Sequence, residues 1–468
     1  MSNQEADVST RNGAMQKVYD DARAIRALTG GTQSMRAAGK EYLPQKQAES
    51  SAAYKDRLAQ STLYNKMLDT INTVAGKLFA KPITANEGFE GEEFLQSVDL
   101  EGRDITRFAH DVTVDALQPG VSYIQVDHPS VEQGLTRAQL SAMGVRPYFI
   151  MVKSENLLSF EYRLVGAQLQ LTRANIMESR TSSDVDNEFK EVTTQQVRVY
   201  RVQDVMVDDA PVQRMTFEVW RQNKDEKWEL AEGPTVSSID FIPIVPLYTS
   251  RTGFMTGRPP YRDIADLNIR HWQSRSSQDH ILDFSRFPML FAKGLKQRDD
   301  GDETAVGANV MLLGEADENS DAKYIEPGGA AIQAGADDLK NIEDQMDALS
   351  KQVLTRKSGN ITATARAIDE SSSTTDIQAL KNIVEDTINT AIGYAAIWAD
   401  SKMGTVSLNA DLDLSADNDT DNKMLIEMYD RRQISGETLT GAAKRRNVLD
   451  DEFDYEVDQG KIERTEVN

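Results

Sequence analysis

The side chains of this sequence that could do chemistry are mainly carboxylates, and one dense group lies in a segment with helical spacing. Its members are Asp337, Asp338, Glu343, Asp344 and Asp347. Glu343 and Asp347 would share one face of a helix, so the group could be taken for the ligands of a two-metal nuclease site. No histidine accompanies it. We therefore interpret the group as a solvated acidic helix face.

A second acidic group resembles the start of a calcium-binding loop. The segment Asp417–Asp421 alternates acidic residues, but the sixth position of the loop would be Asn422 instead of glycine. The twelfth would be Met428 instead of the bidentate glutamate. We interpret this segment as a helix start, because acidic side chains favour the positive end of the helix dipole.

The sequence lacks the usual catalytic signatures. It contains neither a Gly-x-x-x-x-Gly-Lys-Ser/Thr phosphate loop nor a Gly-x-Ser-x-Gly nucleophile elbow. None of its four histidines belongs to a His-Glu-x-x-His pair, and we expect His271 and His280 to make structural hydrogen bonds. The chain has no cysteine, which excludes thiolate metal sites and disulfides. We therefore predict a protein that is not an enzyme and that has no cofactor and no bound metal.

The composition indicates a folded protein that does not cross a membrane. The 468 residues are 39% hydrophobic and 27% charged, which predicts roughly two to four domains with sizeable cores. No apolar run approaches the ~20 residues that cross a bilayer. The first residues lack the basic and apolar parts of a signal peptide. We expect no membrane partner, and assembly in the cytoplasm.

The net charge of −23 restricts how the chain could meet nucleic acid. Ordinary binding needs Lys and Arg to displace the counterions of the phosphates. An acidic wall would instead repel phosphates over about a Debye length, ~8 Å, and would keep a duplex mobile inside a conduit. The simpler alternative is that acidity keeps a large protein soluble. Composition alone favours solubility.

The acidic group at 337–347 lies in the second of two predicted helices that flank a strand-rich insert. The first helix runs from Pro260 to Arg286, with prolines that suit a first turn. The second, Asp337–Leu354, carries an amphipathic stripe. Short apolar runs predict strands at Pro288–Ala292, Asn309–Leu313 and Lys323–Pro327. From Asp299 to Lys351 there are fourteen acidic residues against three lysines. The stripe consists of Leu339, Ile342, Met346, Leu349 and Val353.

The remaining patterns predict an α+β fold with mixed sheets. Helical spacing covers residues 12–30, 51–80 and 104–117, and strand-like runs follow between 121 and 248. Residues 178–190 read as an exposed loop. Small and polar residues at 355–375 predict a loop, and a long helix follows at 376–403. A strand near 406 and two short helices complete the chain, the second capped by Ser435.

Several short motifs together resemble portal proteins of tailed bacteriophages, and more narrowly a portal-like family often catalogued as a domain of unknown function. The resemblance covers most of the chain, and it depends on the order of the motifs together with the layout of helix, acidic insert and helix. The motifs are Tyr42–Pro44, Tyr54–Arg57, Thr62–Asn65, Phe241–Tyr248, Pro259-Pro260, Asp266–Asp279, Tyr324–Gly328 and Thr362–Thr364.

The resemblance implies a portal fold with long stem helices, an α/β clip, a mixed α/β wing and a short helical crown. The wing would comprise residues 1–257, the first stem helix 258–286, the clip 287–334 and the second stem helix 335–354. The tunnel loop would be 355–375, a wing helix and strand 376–420, and the crown and C-terminal tail 421–468.

The resemblance also implies a function and partners. The chain would form a ring, twelve subunits in the family, through which double-stranded DNA is packaged and ejected at one capsid vertex. Its partners would be the terminase motor, the tail adaptor, and the major capsid and scaffold proteins, and it would reside in the virion. Implied tunnel-loop contacts to DNA are Arg356, Lys357, Ser358 and Asn360, and implied clip docking residues are Arg298, Asp299, Asp300, Asp302 and Glu303.

Under the resemblance, Asp337, Asp338, Glu343, Asp344 and Asp347 would form the acidic channel wall. Two alternatives remain. The chain could be a portal-related connector or scaffold protein that conducts no DNA, or a metal-dependent nucleic-acid enzyme with an unrecognised acidic site. A ring too narrow for a duplex, or no ring at all, would favour the first alternative, and divalent-metal-dependent activity would favour the second.

Overall fold

The structure is a computed structural model of an α+β protein. It describes residues 6–129, 139, 143–184, 187–207, 209–223, 225–286, 289–293, 321–325, 329–354, 363–409, 426–431, 433–445 and 455. The predicted strand at 309–313 lies outside this part of the chain.

The N-terminal region is helical, and side-chain caps set where its helices begin. The amides of Met15 and Leu68 donate to the side chains of Asn12 and Asn65, which satisfies groups that a helix start leaves unpaired. The predicted single helix over 51–80 is wrong, because the chain leaves helical conformation between Ser61 and the cap at Asn65. The helices are α1 (Gly13–Thr29), α2 (Gly31–Ala38), a short 3-10 helix (Gly39–Glu41), α3 (Ser51–Gln60) and α4 (Lys66–Leu78).

A three-stranded antiparallel sheet of order β3-β2-β9 forms the centre of the N-terminal half. One face packs against α6 and against a long helix of the C-terminal half, α9 (Ala363–Trp398), through Ile124, Val126 and Leu247. The other contacts α1 through Val121 and Tyr123. Both faces are covered, so most of β2 is buried. The elements are β1 (Thr84–Ala85), α5 (Glu92–Gln96), α6 (Ile105–Ala116), β2 (Val121–Asp127), β3 (Tyr148–Val152) and β9 (Ile244–Tyr248).

A five-stranded antiparallel meander of order β4-β5-β6-β7-β8 lies between β3 and β9 in the chain. Because every pairing among the described strands is antiparallel, the prediction of mixed sheets is wrong. The predicted loop at 178–190 is wrong for residues 178–183, which are strand and pair with residues 191–196, so that the hydroxyls of Thr181 and Thr193 lie 3.1 Å apart. The strands are β4 (Leu157–Val165), β5 (Gln168–Ser183), β6 (Glu191–Val207), β7 (Ala210–Gln222) and β8 (Trp228–Val236).

Long helices dominate the C-terminal half, and two of them begin earlier than the sequence predicts. Helix α8 begins at Gly329, inside the predicted clip. Helix α9 begins at Ala363, inside the predicted tunnel loop, because alanines at 363, 365 and 367 are strong helix formers. The elements are β10 (Arg251–Gly253), β11 (Thr256–Gly257), α7 (Arg262–Arg286), β12 (Met289–Lys293), β13 (Asp321–Ile325), α8 (Gly329–Leu354), α9 (Ala363–Trp398), β14 (Val406–Ser407) and α10 (Gly436–Arg445).

Two smaller predictions in this half are confirmed. Strands β12 and β13 pair antiparallel between α7 and α8, with Met289 opposite Ile325. At the start of α10, the amide of Thr438 donates to the Ser435 hydroxyl at 3.1 Å, as expected of a cap. Strand β14 pairs with β1 and so ties the segment after α9 back to the N-terminal half.

Candidate functional site

Helices α7 and α8 form an antiparallel pair. Arg270 Nη2 lies 3.2 Å from Asp338 Oδ1, and the Ser274 hydroxyl donates to Asp338 Oδ2 at 2.9 Å. One turn further along α7, the Gln278 amide donates to the carbonyl of Ile332, at 2.9 Å. Later residues of α7 therefore contact earlier residues of α8, as expected of two antiparallel helices. Asp338, predicted as channel wall, joins the two helices.

A buried histidine makes the next contact between the two helices. His271 Nε2 lies 2.9 Å from Glu343 Oε1, and the histidine is fully buried while the glutamate is half-exposed. The ring of Tyr64 packs against the imidazole at 5.4 Å between centroids. The prediction that His271 makes a structural hydrogen bond is confirmed. Glu343, also predicted as channel wall, is turned towards α7.

The C-terminal half of α8 is fixed to α4. Lys66 Nζ lies 2.9 Å from Asp347 and 2.8 Å from Asp69. Burial alone would lower the pKa of Lys66, but the hydrogen bonds of these two carboxylates outweigh it and raise the pKa. Close by, the buried Thr70 hydroxyl donates to Ser350 at 2.9 Å. Asp347 is therefore an anchor of α8 as well as a partly exposed acid.

The remaining two carboxylates of the predicted wall are exposed. Among the described residues, Asp337 accepts a hydrogen bond only from Gln333 on its own helix, at 2.9 Å, and Asp344 has no side-chain partner. Lys340 lies between them on the same exposed face. Together, Asp337, Lys340 and Asp344 therefore contribute one net negative charge per chain, less than the five acids of the predicted wall would give.

The opposite side of α8 agrees with the predicted amphipathic stripe. Leu339, Ile342 and Met346 are buried, and Leu349 packs against the core that includes Trp272. With the apolar stripe buried, the exposed face of α8 is the part of this helix that could border a channel.

Helix α7 buries polar side chains that the apolar spacing did not reveal. Asn268 is fully buried, accepts from the amide of Met67 at 3.0 Å and donates to the carbonyl of Tyr64 at 2.7 Å. Ser276 is buried and shares a hydrogen bond of 2.8 Å with Ser61. Each of these side chains meets a backbone or hydroxyl group at the start of α4 or the end of α3. Only the tertiary fold shows these contacts.

A buried ion pair fixes α3 beside α7. Arg57 Nε lies 2.7 Å from Glu49 Oε1 and Arg57 Nη2 lies 2.8 Å from Glu49 Oε2, with side-chain exposures of 4% and 8%. Arg57 also donates to the carbonyl of Pro44 and to Ser276, at 3.0 and 3.3 Å. The hydrogen bond from Arg57 lowers the pKa of Glu49 to about 2. Arg57 belongs to the Tyr54–Arg57 motif, but the spacing of that motif does not predict this contact.

The other predicted site residues lie outside the part of the chain that the structure describes. They are the clip residues Arg298, Asp299, Asp300, Asp302 and Glu303 and the tunnel-loop residues Arg356, Lys357, Ser358 and Asn360. Among the described residues, no group of three or more His, Asp and Glu side chains could hold a metal ion. No described helix is long and apolar enough to span a bilayer.

A family described as "Domain of unknown function (DUF4055)" matches residues 260–399, which include α7, α8 and α9. None of the curated proteins matches the chain.

Among solved structures, the chain is similar to a component of "Virion of native gene transfer agent (GTA) particle", with 12% identity, a TM-score of 0.37, and coverage of 79% of this chain and 86% of the other. It is also similar to a component of "Neck of native GTA particle computed with C12 symmetry", with 14% identity, a TM-score of 0.36, and coverage of 79% of this chain and 86% of the other. A component of "Neck of empty GTA particle computed with C6 symmetry" is similar as well, with 12% identity, a TM-score of 0.38, and coverage of 79% of this chain and 87% of the other. At these identities and TM-scores, the similarities do not assign a function.

Proposed function

We propose that this chain is a portal protein, the subunit of a ring that conducts double-stranded DNA through one vertex of a capsid. The observation that carries the proposal is the antiparallel pair α7 and α8. The pair is joined by residues 287–328, which include the β12–β13 hairpin, and is fixed to the body at α4. Long helices packed side by side make stiff walls, because their backbone hydrogen bonds are satisfied internally. The sequence resemblance to portal proteins supports the same assignment.

In this proposal the exposed face of α8 borders the channel. Asp337 and Asp344 give the face its negative charge, and Asp338, Glu343 and Asp347 hold the helix in place. A weakly acidic wall repels phosphates without binding them, so DNA slides. The ring has twelve subunits, binds the terminase motor and the tail adaptor through the clip, and meets the major capsid and scaffold proteins through the wing. The tunnel-loop residues Arg356 and Lys357 contact the phosphates.

The ring performs no chemistry in this proposal, and a separate motor hydrolyses ATP. Purified rings should therefore show no ATP hydrolysis and no DNA cleavage with Mg²⁺ or Mn²⁺. Activity that is lost on changing one residue of the chain would favour the enzyme alternative.

Class averages of the purified protein by negative-stain electron microscopy test the ring. We expect closed rings with a lumen of at least ~20 Å, the width that a duplex needs, given its ~12 Å major groove and the backbones beside it. Closed rings too narrow for a duplex would favour a connector that conducts no DNA, and the absence of rings at micromolar concentration would overturn the proposal.

The role of α8 is tested by Asp337→Lys/Asp344→Lys, which changes the charge by four units per subunit and removes no hydrogen bond or ion pair between α8 and the described residues of α4 or α7. Rings should still form, and they should retain DNA more strongly. The logarithm of the binding constant should fall with the logarithm of the salt concentration, with a slope steeper by about 0.9 for each phosphate neutralised. The matched control is Glu188→Lys/Asp225→Lys, two exposed acids of the meander. Equal DNA retention by both variants would place the face of α8 away from the channel.

A further inference from the structure

A cleft of about 780 Å³ lies between α1 and the start of α7. Lys17, Arg258 and Arg262 line it together with two acids, Asp21 and Asp263. The lining therefore carries one net positive charge in a chain whose net charge is −23. Hydroxyl groups of the β10–β11 turn add further donors. Such a lining suits a carboxylate or a phosphate.

The cations of the cleft are incompletely paired within the chain. Lys17 Nζ and Arg262 Nη1 share the single carboxylate of Asp21, at 3.1 and 3.5 Å. The exposed guanidinium of Arg258 makes no hydrogen bond or ion pair with a described residue. Arg258 is thus the cation of the cleft that is most available to an outside anion.

The backbone that carries Arg258 is held tightly. Gly120 has φ of +90°, and a Cβ atom there would lie 2.0 Å from the carbonyl oxygen of Arg258. The Arg258 amide donates to the carbonyl of Ser250, and the Ser250 amide donates to the carbonyl of Gly120. Pro259 follows directly and is buried. A preorganised backbone reduces the entropy that binding must overcome.

The same chain carries an anionic surface whose carboxylates form no ion pair with a described residue. We define the acidic turn as Glu87, Glu90, Glu92 and Glu93, four exposed carboxylates without a partner among the described residues. Its backbone is also fixed, because the amides of Asn86 and Glu90 donate to the carbonyls of Thr405 and Met403 next to β14. Phe94 buries its ring under the turn.

The cleft and the acidic turn lie on opposite sides of the β3-β2-β9 sheet. The turn is packed through Phe94 onto the sheet face that carries Ile124 and Leu247. The cleft belongs to α1, which packs through Met15 and Val18 onto the other face. One copy therefore cannot bring the two surfaces together, whereas adjacent copies in a ring meet through two different patches.

We propose that the acidic turn of one copy docks into the α1–α7 cleft of the next copy, with its glutamates on Arg258 and its neighbouring cations. This inference rests on the ring of the proposed function. A phosphate of DNA has the same chemistry as an occupant, but the chain's high negative charge opposes the approach of DNA, and the acidic turn supplies the complementary charge within each copy.

Charge reversal tests the contact. Glu90→Lys/Glu92→Lys/Glu93→Lys (variant A) and Arg258→Glu/Arg262→Glu (variant B) should each weaken assembly at least about tenfold, measured as the concentration for half-maximal ring formation by native mass spectrometry. A mixture of A and B restores opposite charges at every contact of an alternating ring. It should assemble at close to the wild-type concentration.

Two further comparisons decide the outcome. Glu188→Lys/Asp204→Lys/Asp225→Lys makes the same charge change as variant A on the meander and should assemble normally. If the wild type, variant A alone and variant B alone all form rings at similar concentrations, the inference is overturned and the proposed function stands. If the wild type forms no ring, the proposed function itself is overturned. Normal rings of B with tenfold weaker DNA retention would assign the cleft to DNA instead.

Discussion

The buried pair of Arg57 and Glu49 offers a sharp test of how the helices around the α7–α8 pair are held. Replacing Arg57 with Met keeps most of the side-chain volume but leaves the Glu49 carboxylate, 8% exposed, without its cation. Breaking a buried pair in this way costs about 3–5 kcal/mol of unfolding free energy. The carbonyl of Pro44 and the hydroxyl of Ser276 lose a donor as well.

The double variant Arg57→Met/Glu49→Met removes both charges, so the uncompensated carboxylate disappears. We expect it to recover roughly half or more of the lost stability, because replacing a buried pair with apolar groups is often close to neutral. Urea unfolding measures the free energies, and hydrogen exchange of the α3 amides measures the local effect. Equal losses of stability in the single and the double variant would show that the Glu49 carboxylate is not buried without its cation.

The pH dependence gives an independent check on the same pair. The pKa of Glu49 is lowered from 4.5 to about 2, so its ionised form is favoured in the folded state. The stability from this group is therefore fully present above about pH 4.5 and is lost as pH falls towards 2. A Glu49→Gln variant should lose part of the pH dependence of stability in this window. An unchanged profile would contradict the assignment.

Two other predictions concern backbone contacts. Gly120→Ala should destabilise the fold by several kcal/mol, because φ is +90° and the new Cβ meets the carbonyl of Arg258. Gly76→Ala, in open space within α4, should stabilise the fold by up to about 1 kcal/mol. Equal thermal unfolding temperatures of the two variants would contradict both expectations. Asn268→Leu should cost about 2–4 kcal/mol in urea unfolding, since it leaves the carbonyl of Tyr64 and the amide of Met67 without partners, and a loss below 1 kcal/mol would show that water replaces the amide.

The sequence predicted best those elements whose fold follows from local periodicity. The stripe of α8 is regular, so its buried residues Leu339, Ile342 and Met346 could be identified. Helix α7 could be predicted as a helix, but its buried face holds Asn268 and Ser276, which hydrogen-bond to distant segments. Such partners are not encoded by spacing along one helix.

The meander shows a second limit. The tip of the β5–β6 hairpin has polar side chains on both faces, so alternation of apolar and polar residues is missing and the segment resembles a loop. The hairpin extends because its strands pair with each other in register, Thr181 opposite Thr193. The same limit applies to the candidate site, because the sequence locates the acids of α8 but does not show which of them find cations.

Some acids of α8 bind residues of α7 or α4 and others are exposed without such partners, and this difference decides which substitutions test the channel proposal. Replacing Glu343, Asp344 and Asp347 together with lysine would place a cation beside His271 and another beside Lys66, so the α7–α8 pair would be disturbed along with any channel surface. Slow packaging by such a variant would therefore have two explanations. Asp337 and Asp344 form no hydrogen bond or ion pair with a described residue of α7 or α4, so changing only these two separates the electrostatics of the exposed face from the anchoring of the helix. In the proposed ring, a single helix thus supplies both stiffness and repulsion through different carboxylates, and the two roles can be measured independently.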